Sequence, residues 1–340
     1  MPAADNPSPA PSRGAPAPRA GLATVMVFVA AAVGVLQFWR PAHSLETRPF
    51  ARLNAVAMPD AAPSANAFGR SGAVKVRFAL PGSRVEYPLE LRGSPDSLRY
   101  VWVGVDDSLP ADSALPLGGA EVVAPSRAGF YRLALERAGQ REVVDGLTLA
   151  VLVPFKEKVG AMLNGYRIGT YLAERIGGSH AHPEGFVEVT PETVDLPLST
   201  HLRLADFVTH DDQDVWPRYA ALNGQLLDKL ELVIAELGRA RGGSAPVEFT
   251  VQVHSGFRAP AHNRTVRKAA KDSRHQYGDA ADVAIDANGD GRISRADVRL
   301  IVRAVEAVER THPELVGGLG LYREPYVHID TRGTRARWKA

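Results

Sequence analysis

Two short segments carry side chains of the kinds that bind metal ions: His275-Gln276-Tyr277-Gly278-Asp279-Ala280-Ala281-Asp282 and, further along, Tyr326-Val327-His328-Ile329-Asp330. Together they offer imidazoles and carboxylates from segments that read as strands. A catalytic zinc ion takes about three protein ligands and leaves a fourth position to water. In 280–285, a period of two puts Ala281, Val283 and Ile285 on one face and Asp282 on the other. In the second segment Val327 and Ile329 point to a core, while Tyr326, His328 and Asp330 share the opposite face. Paired in one sheet, the two strands would bring Asp282 and His328 to one ion, with His275 arriving from the preceding loop. A single histidine beside a strand is ordinarily a satisfied surface or core side chain; the whole constellation is harder to explain that way.

The flanking residues must position these groups. Val247 to Val253 alternates and delivers the chain to Ser255-Gly256-Phe257-Arg258, and Pro260 is expected to start a short helix through Lys271. Tyr219, Leu222, Leu226, Leu227, Leu230, Val233, Ile234 and Leu237 keep helical spacing, and Gly238 or Gly242-Gly243 can end that helix. The order predicts an α+β domain with its reactive groups at strand ends and loops.

At this point the sequence resembles a family. Ser255-Gly256-Phe257-Arg258-Ala259-Pro260, Ser273-Arg274-His275 leading to Asp282, and Val327-His328-Ile329-Asp330-Thr331-Arg332-Gly333 are similar to the M15 zinc peptidases. The nearest branch is the M15A-like cell-wall peptidases. The resemblance runs over roughly 155–340 and includes the hairpin-like Leu163–Gly169 and the segment Gly185–Thr190. It implies an M15/hedgehog-like fold with a central antiparallel sheet over 154–340. It also implies zinc held by His275, Asp282 and His328, and Arg258 holding the substrate or the developing oxyanion. The chain departs from better-known members three positions before the last ligand, where an acid is usual and Pro325 stands here. Glu324 and Asp330 are the candidate general bases; Asp330 could instead orient a histidine ligand.

What the resemblance implies for function is zinc-dependent hydrolysis of peptidoglycan peptides, as a D,D-carboxypeptidase or murein endopeptidase. The bond can be D-Ala-D-Ala, a cross-link or L-Ala-D-Glu. The alternative is a non-catalytic cell-wall binding module that keeps a structural zinc site.

Composition fits an ordinary globular protein, with 45% hydrophobic and 23% charged residues among 340. Forty basic against 38 acidic residues leave a net charge of +2, which gives no nucleic-acid footprint. With no cysteine, disulfides, thiolate zinc sites and thiol nucleophiles are all excluded.

The N-terminal region implies a compartment. Residues 1–20 are rich in Pro and Ala and read as a disordered cytoplasmic tail. Residues 21–39 are almost unbroken apolar, and at about 1.5 Å each they nearly span a hydrocarbon core of about 30 Å. Arg13 and Arg19 before the run and Trp39 at its far edge favour a single-pass signal anchor in the cytoplasmic membrane, with the rest of the chain outside. A cleaved signal peptide is the rival, but the preceding tail is long for one. Residues 40–72 have linker composition. The segment 73–153 shows short alternating runs separated by Pro, Gly and Asp, which predicts a small all-β sandwich-like domain of unidentified ligand.

A second cluster follows Asp282. Asp286, Asn288, Asp290, Arg292 (through its carbonyl), Ser294 and Asp297 stand at the ligand positions of an EF-hand calcium loop, with Gly291 at its turn. Position twelve is Asp rather than Glu and no entering helix precedes it, so an Asx/Gly turn that binds nothing is the competing reading. Thr209-His210-Asp211-Asp212-Gln213-Asp214 reads as a solvated acidic loop more than a metal cluster, and Tyr322 and Trp338 are expected to pack or line a groove.

Overall fold

The computed structural model describes residues 51–53, 69–87, 89–91, 97–106, 113–118, 121–176, 181–242 and 248–339. The expected tail, the expected membrane span at 21–39 and most of the linker lie outside these residues. Among the described residues, no helix is long and apolar enough to cross a membrane.

The architecture is mixed α+β. Numbering the strands of the two larger sheets in chain order, the first sheet holds β1 (Val76–Ala79), β2 (Arg99–Gly104), β3 (Leu115–Pro116), β4 (Gly129–Arg137), β5 (Gln140–Val143) and β6 (Thr148–Val151). The strand order is β1-β6-β4-β2-β3, with β5 pairing β4; β1 and β6 run parallel and the other pairs antiparallel. One face is covered by a two-stranded ribbon, Arg84–Glu86 with Glu121–Val123. Two aromatic side chains fasten the ribbon through their polar atoms: Trp102 Nε1 donates to Val123 O at 2.7 Å, and Val123 N donates to Tyr100 Oη at 3.0 Å. Burying a Tyr or Trp leaves its polar atom in need of a partner, and the ribbon backbone provides it.

The opposite face of this sheet packs on the rest of the chain. Val76, Phe130 and Ala150 join one continuous core with the helices and strands of the C-terminal part, where a helix lies against β1. That helix, α1 (Gly224–Arg241), packs Leu226, Leu227, Leu230, Val233, Ile234 and Leu237 inward. It starts later than the apolar spacing implies. Asn223 accepts a hydrogen bond from Gln225 N and caps it, and Tyr219 sits one element earlier in the strand Arg218–Ala220. Gly242, in the left-handed region at φ 71°, ends it.

The second sheet positions the site. Its strands are β7 (Val251–Ser255), β8 (Ala280–Ile285), β9 (Gly318–Leu321), β10 (Val327–Asp330) and β11 (Ala336–Lys339), in the order β7-β8-β10-β9-β11. All neighbours are antiparallel except β9 and β11. Ala281, Val283, Ile285, Val327 and Ile329 enter the core, as the alternation predicts. The helix α2 (Arg295–Thr311) lies against α1 and begins at Ser294, whose side chain and Asp297 form a capping box. The helix expected from Pro260 to Lys271 is a single turn, Pro260–Asn263, after which Asn263 Nδ2 donates to Ala270 O and closes an irregular loop.

Behind the sheet lies a charged network that the apolar stripe conceals. Lys229, fully buried between Leu226 and Leu230 in sequence, donates from Nζ to Glu309 Oε1 at 2.9 Å and to Asp330 O at 2.8 Å. Glu309 also accepts from Arg337 Nη2 and from Gly317 N. Removing one partner of a buried pair leaves an uncompensated charge, so Glu309→Ala should cost about 3–5 kcal/mol, a Tm fall on the order of 10 °C in a thermal melt. The paired change Lys229→Met with Glu309→Leu should recover part of that loss, because no fully buried charge is then left alone, while the half-buried Arg337 loses its carboxylate partner.

Candidate metal centre and its pocket

Three elements converge on one point. The register of β8 and β10 sets Asp282 directly opposite His328. His275 comes from a single 3-10 turn, Arg274–Tyr277, which ends at Gly278 with φ 72°. A Cβ at Gly278 would lie 2.2 Å from Ala221 O, so both the left-handed conformation and the close approach require glycine. Arg274 Nε donates to Asp279 Oδ1 at 3.0 Å and Arg258 N donates to His275 O at 3.0 Å, which fixes the turn from both sides.

One ligand atom each from His275, Asp282 and His328 lies within 4.8 Å of the others, and all three residues are buried. His275 Nε2 is 3.1 Å from His328 Nδ1, and Asp282 Oδ1 is 3.3 Å from the first and 3.0 Å from the second. The outer nitrogens have their own acceptors. His275 Nδ1 is 2.8 Å from Gly256 O and His328 Nε2 is 3.0 Å from Asp330 Oδ2. Donation to those acceptors leaves the two inner nitrogens with lone pairs beside a carboxylate oxygen. Three acceptors facing one another in a buried space repel unless a cation sits among them. The donor set therefore fits a divalent metal ion, with outer acceptors that orient the rings.

When protons rather than a cation share this space, the inner ring nitrogens donate to Asp282 instead; burial pushes its carboxyl up, but these bonds from His275 and His328 outweigh burial and hold Asp282 well below the usual carboxylate range. Burial lowers His275, and contact with Asp282 offsets only part of this. Burial also acts to lower His328, but bonds to Asp282 and Asp330 prevail and raise it.

The residues expected to do chemistry around this centre separate clearly. Arg258 Nη2 reaches Ser255 Oγ at 3.0 Å and Asp282 Oδ2 at 3.5 Å, so its guanidinium stands beside the ligand carboxylate. Asp330 is fully buried and accepts from Gly318 N at 2.7 Å, from Arg332 N at 3.1 Å, from the Arg332 guanidinium and from His328. Its lone pairs are occupied, which suits an orienting carboxylate and not a base for water. Glu324 is exposed in the turn before β10, and among the described residues no hydrogen bond or ion pair joins it to the ligands. Tyr322 Oη donates to Asp282 Oδ1 at 3.3 Å, and the Trp338 ring lies 5.0 Å from the His328 ring. Trp338 reaches it by crossing Gly320, where a Cβ would lie 2.5 Å from the indole.

The calcium-loop residues stay together as a loop, but their side chains have backbone duties. Asp286 accepts from Gly289 N and Gly291 N, Asp290 from Arg292 N, and Asp297 from Asn288 N and Ser294 N. Among the described residues, the His275, Asp282 and His328 cluster is the one with metal-ligand geometry. Asp211 is likewise tied to Tyr166 Oη and Gln213, so its loop is not a metal cluster.

A pocket of about 190 Å³ opens beside Arg258, lined by Thr209, His210, His254, Ser255, Arg258 and His262 among others. Sequence reading passed over His254 and His262, since neither belongs to a ligand spacing.

Residues 220–330, from the strand before α1 through the end of β10, match the family model for Peptidase M15. The C-terminal region carries an M15 peptidase domain. The match contains all three clustered ligands, Arg258 and Asp330. No curated protein matches the chain. The M15 domain thus supplies the helix and the four-strand run that hold the metal-type cluster, and the peptidase assignment rests on family and geometry together.

Proposed function

We propose that the protein is a zinc-dependent hydrolase of peptidoglycan peptides, either a D,D-carboxypeptidase or a murein endopeptidase. The observation that carries this reading is the buried acceptor triangle of His275 Nε2, His328 Nδ1 and Asp282 Oδ1 inside the M15 domain. Zinc bound there would supply Lewis acidity and lower the pKa of water towards about 7. The chain's own residues do the rest. Asp330 fixes the ring of His328 and Gly256 fixes that of His275, so both inner nitrogens stay available. Arg258, beside the centre and lining the pocket, would hold a substrate carboxylate or the oxyanion that forms as water adds to the scissile carbonyl. Tyr322 and Trp338 stand against the centre, one bonded to Asp282 and the other beside the His328 ring. Incubating the full chain with purified peptidoglycan and reading soluble fragments by mass spectrometry tests the reading. New peptide termini support it; release of none, with zinc bound, supports a cell-wall binding module instead.

The apolar run at 21–39 supports an anchor in the cytoplasmic membrane, with the M15 domain on its outer face, where that substrate lies. A fluorescent protein that fails to fold after export, fused at Ala340, should stay dark; bright fluorescence would refute the orientation.

Calcium in the Asp286–Asp297 loop is an added proposal that rests on residue spacing alone. A ligand bound only by the folded state stabilises it by about 2.7 kcal/mol at a hundredfold excess over its dissociation constant. Millimolar calcium should therefore raise the Tm of the zinc-loaded protein, and Asp290→Ala should abolish the gain. Equal melting with calcium and with a chelator too weak to strip zinc would leave the loop as a turn.

A further inference from the structure

Hydrolysis of an amide needs a group that takes a proton from the attacking water and returns one to the leaving nitrogen. Asp330 already accepts from Gly318, Arg332 and His328, and Glu324 lies exposed outside the ligand cluster.

A different side chain stands on the ligand face. The pairing of β7 with β8 runs Val251 to Ile285, Gln252 to Ala284 and Val253 to Val283, and then slips so that Ser255 opposes Asp282. The slip leaves His254 as an extra residue, a bulge opposite the ligand carboxylate. Bulges re-aim side chains and gather next to active sites. Val251 and Val253 pack on the core, whereas His254 is exposed on the other side. Its ring lies 4.9 Å from that of Tyr326, which in turn lies 4.7 Å from Tyr322, the donor to Asp282. The neighbouring bulge residue, Ser255, accepts from Arg258. His254 also lines the pocket with Arg258, His210 and His262. The charged and titratable groups around it are thus Arg258, His210 and His262 from the pocket, Tyr326 from the approach to β10, and Asp282 across the bulge.

We propose, on the basis of the peptidase reading above, that His254 is the proton-transfer residue of this site. Its imidazole takes a proton from water as the oxygen–carbon bond forms at the scissile carbonyl. The imidazolium then gives that proton to the leaving nitrogen as the carbon–nitrogen bond breaks. The sum is one water added across one amide, with no other reactant.

The test uses the full chain loaded with zinc, in parent, His254→Gln and His254→Ala forms. The expected result is a fall in kcat of about 10²–10⁴-fold with zinc content unchanged, and partial recovery of His254→Ala when imidazole is added. A second readout needs no turnover: a phosphinate dipeptide, which mimics the tetrahedral state, should bind His254→Gln about tenfold or more weakly by calorimetry, the loss of one charge-assisted hydrogen bond. Turnover of His254→Gln equal to the parent's, or activity lost without imidazole rescue and with unchanged phosphinate affinity, overturns the assignment. If the parent binds zinc but cleaves nothing, the peptidase reading fails, and the phosphinate comparison still decides whether His254 faces the reacting position.

Discussion

Replacing His328 with Ala is expected to empty the metal centre and reduce peptidoglycan hydrolysis to background. His328 contributes one of three inner ligand atoms, and the two that remain, on His275 and Asp282, cannot complete a site that needs about three protein ligands. The variant should still fold, because the core on the far side of β10 is built by Val327 and Ile329, which it leaves intact. Elemental analysis should show zinc in the parent and none in the variant, with similar far-ultraviolet circular dichroism. A milder change separates ligand from orienter. Asp330→Asn leaves the three inner ligand atoms in place but weakens the bonds that Asp330 accepts from His328, Arg332 and Gly318, and loss of such an orienting partner weakens metal affinity by about 10–100-fold rather than abolishing it. Full zinc content in His328→Ala would remove the site from its assigned place.

The second large effect belongs to Arg258. Its guanidinium reaches Asp282 and Ser255 from the wall of the pocket, yet it is not a metal ligand. Burial lowers its pKa, Asp282 opposes that, and the group stays cationic throughout the working pH range. Removal of one donor to a developing oxyanion costs about 10²–10³-fold in kcat, so Arg258→Ala should lose that much while keeping its zinc. Arg258→Lys should recover little, since an ammonium cannot reproduce the planar fork that spans Asp282 and Ser255. Loss of zinc together with activity in Arg258→Ala would instead make it a support for Asp282.

Much of the centre was legible from alternation alone. The period of two in 280–285 and 327–330 set Asp282 and His328 on one face and Ile285, Val283 and Ile329 on the other, and the sheet realises both. The same face assignment included Asp330, but its role could not be read from periodicity. What decides it is the number of donors that converge on it, and those come from Gly318 at the start of β9 and from Arg332 just after β10. His254 escaped notice for a related reason, because a bulge changes register without any residue preference to announce it. Lys229 is legible in the sequence: it falls at helical spacing from Leu226 and Val233, on the buried stripe of α1. The helix predicted from Pro260 ran too long because Asn263 turns the chain through its side chain, a contact no propensity reports. The alternating runs within 73–153 fold as strands among the described residues. The burial of their second face against α1 depends on packing across distant parts of the chain.

The measurement that bears most directly on the central claim is a zinc titration of the chelator-treated full chain, with hydrolysis of purified peptidoglycan followed at each step. One zinc should bind per chain, with fragment release rising in proportion and both absent in His328→Ala. Undiminished fragment release from the zinc-free protein, or zinc uptake that persists in His328→Ala, would contradict it.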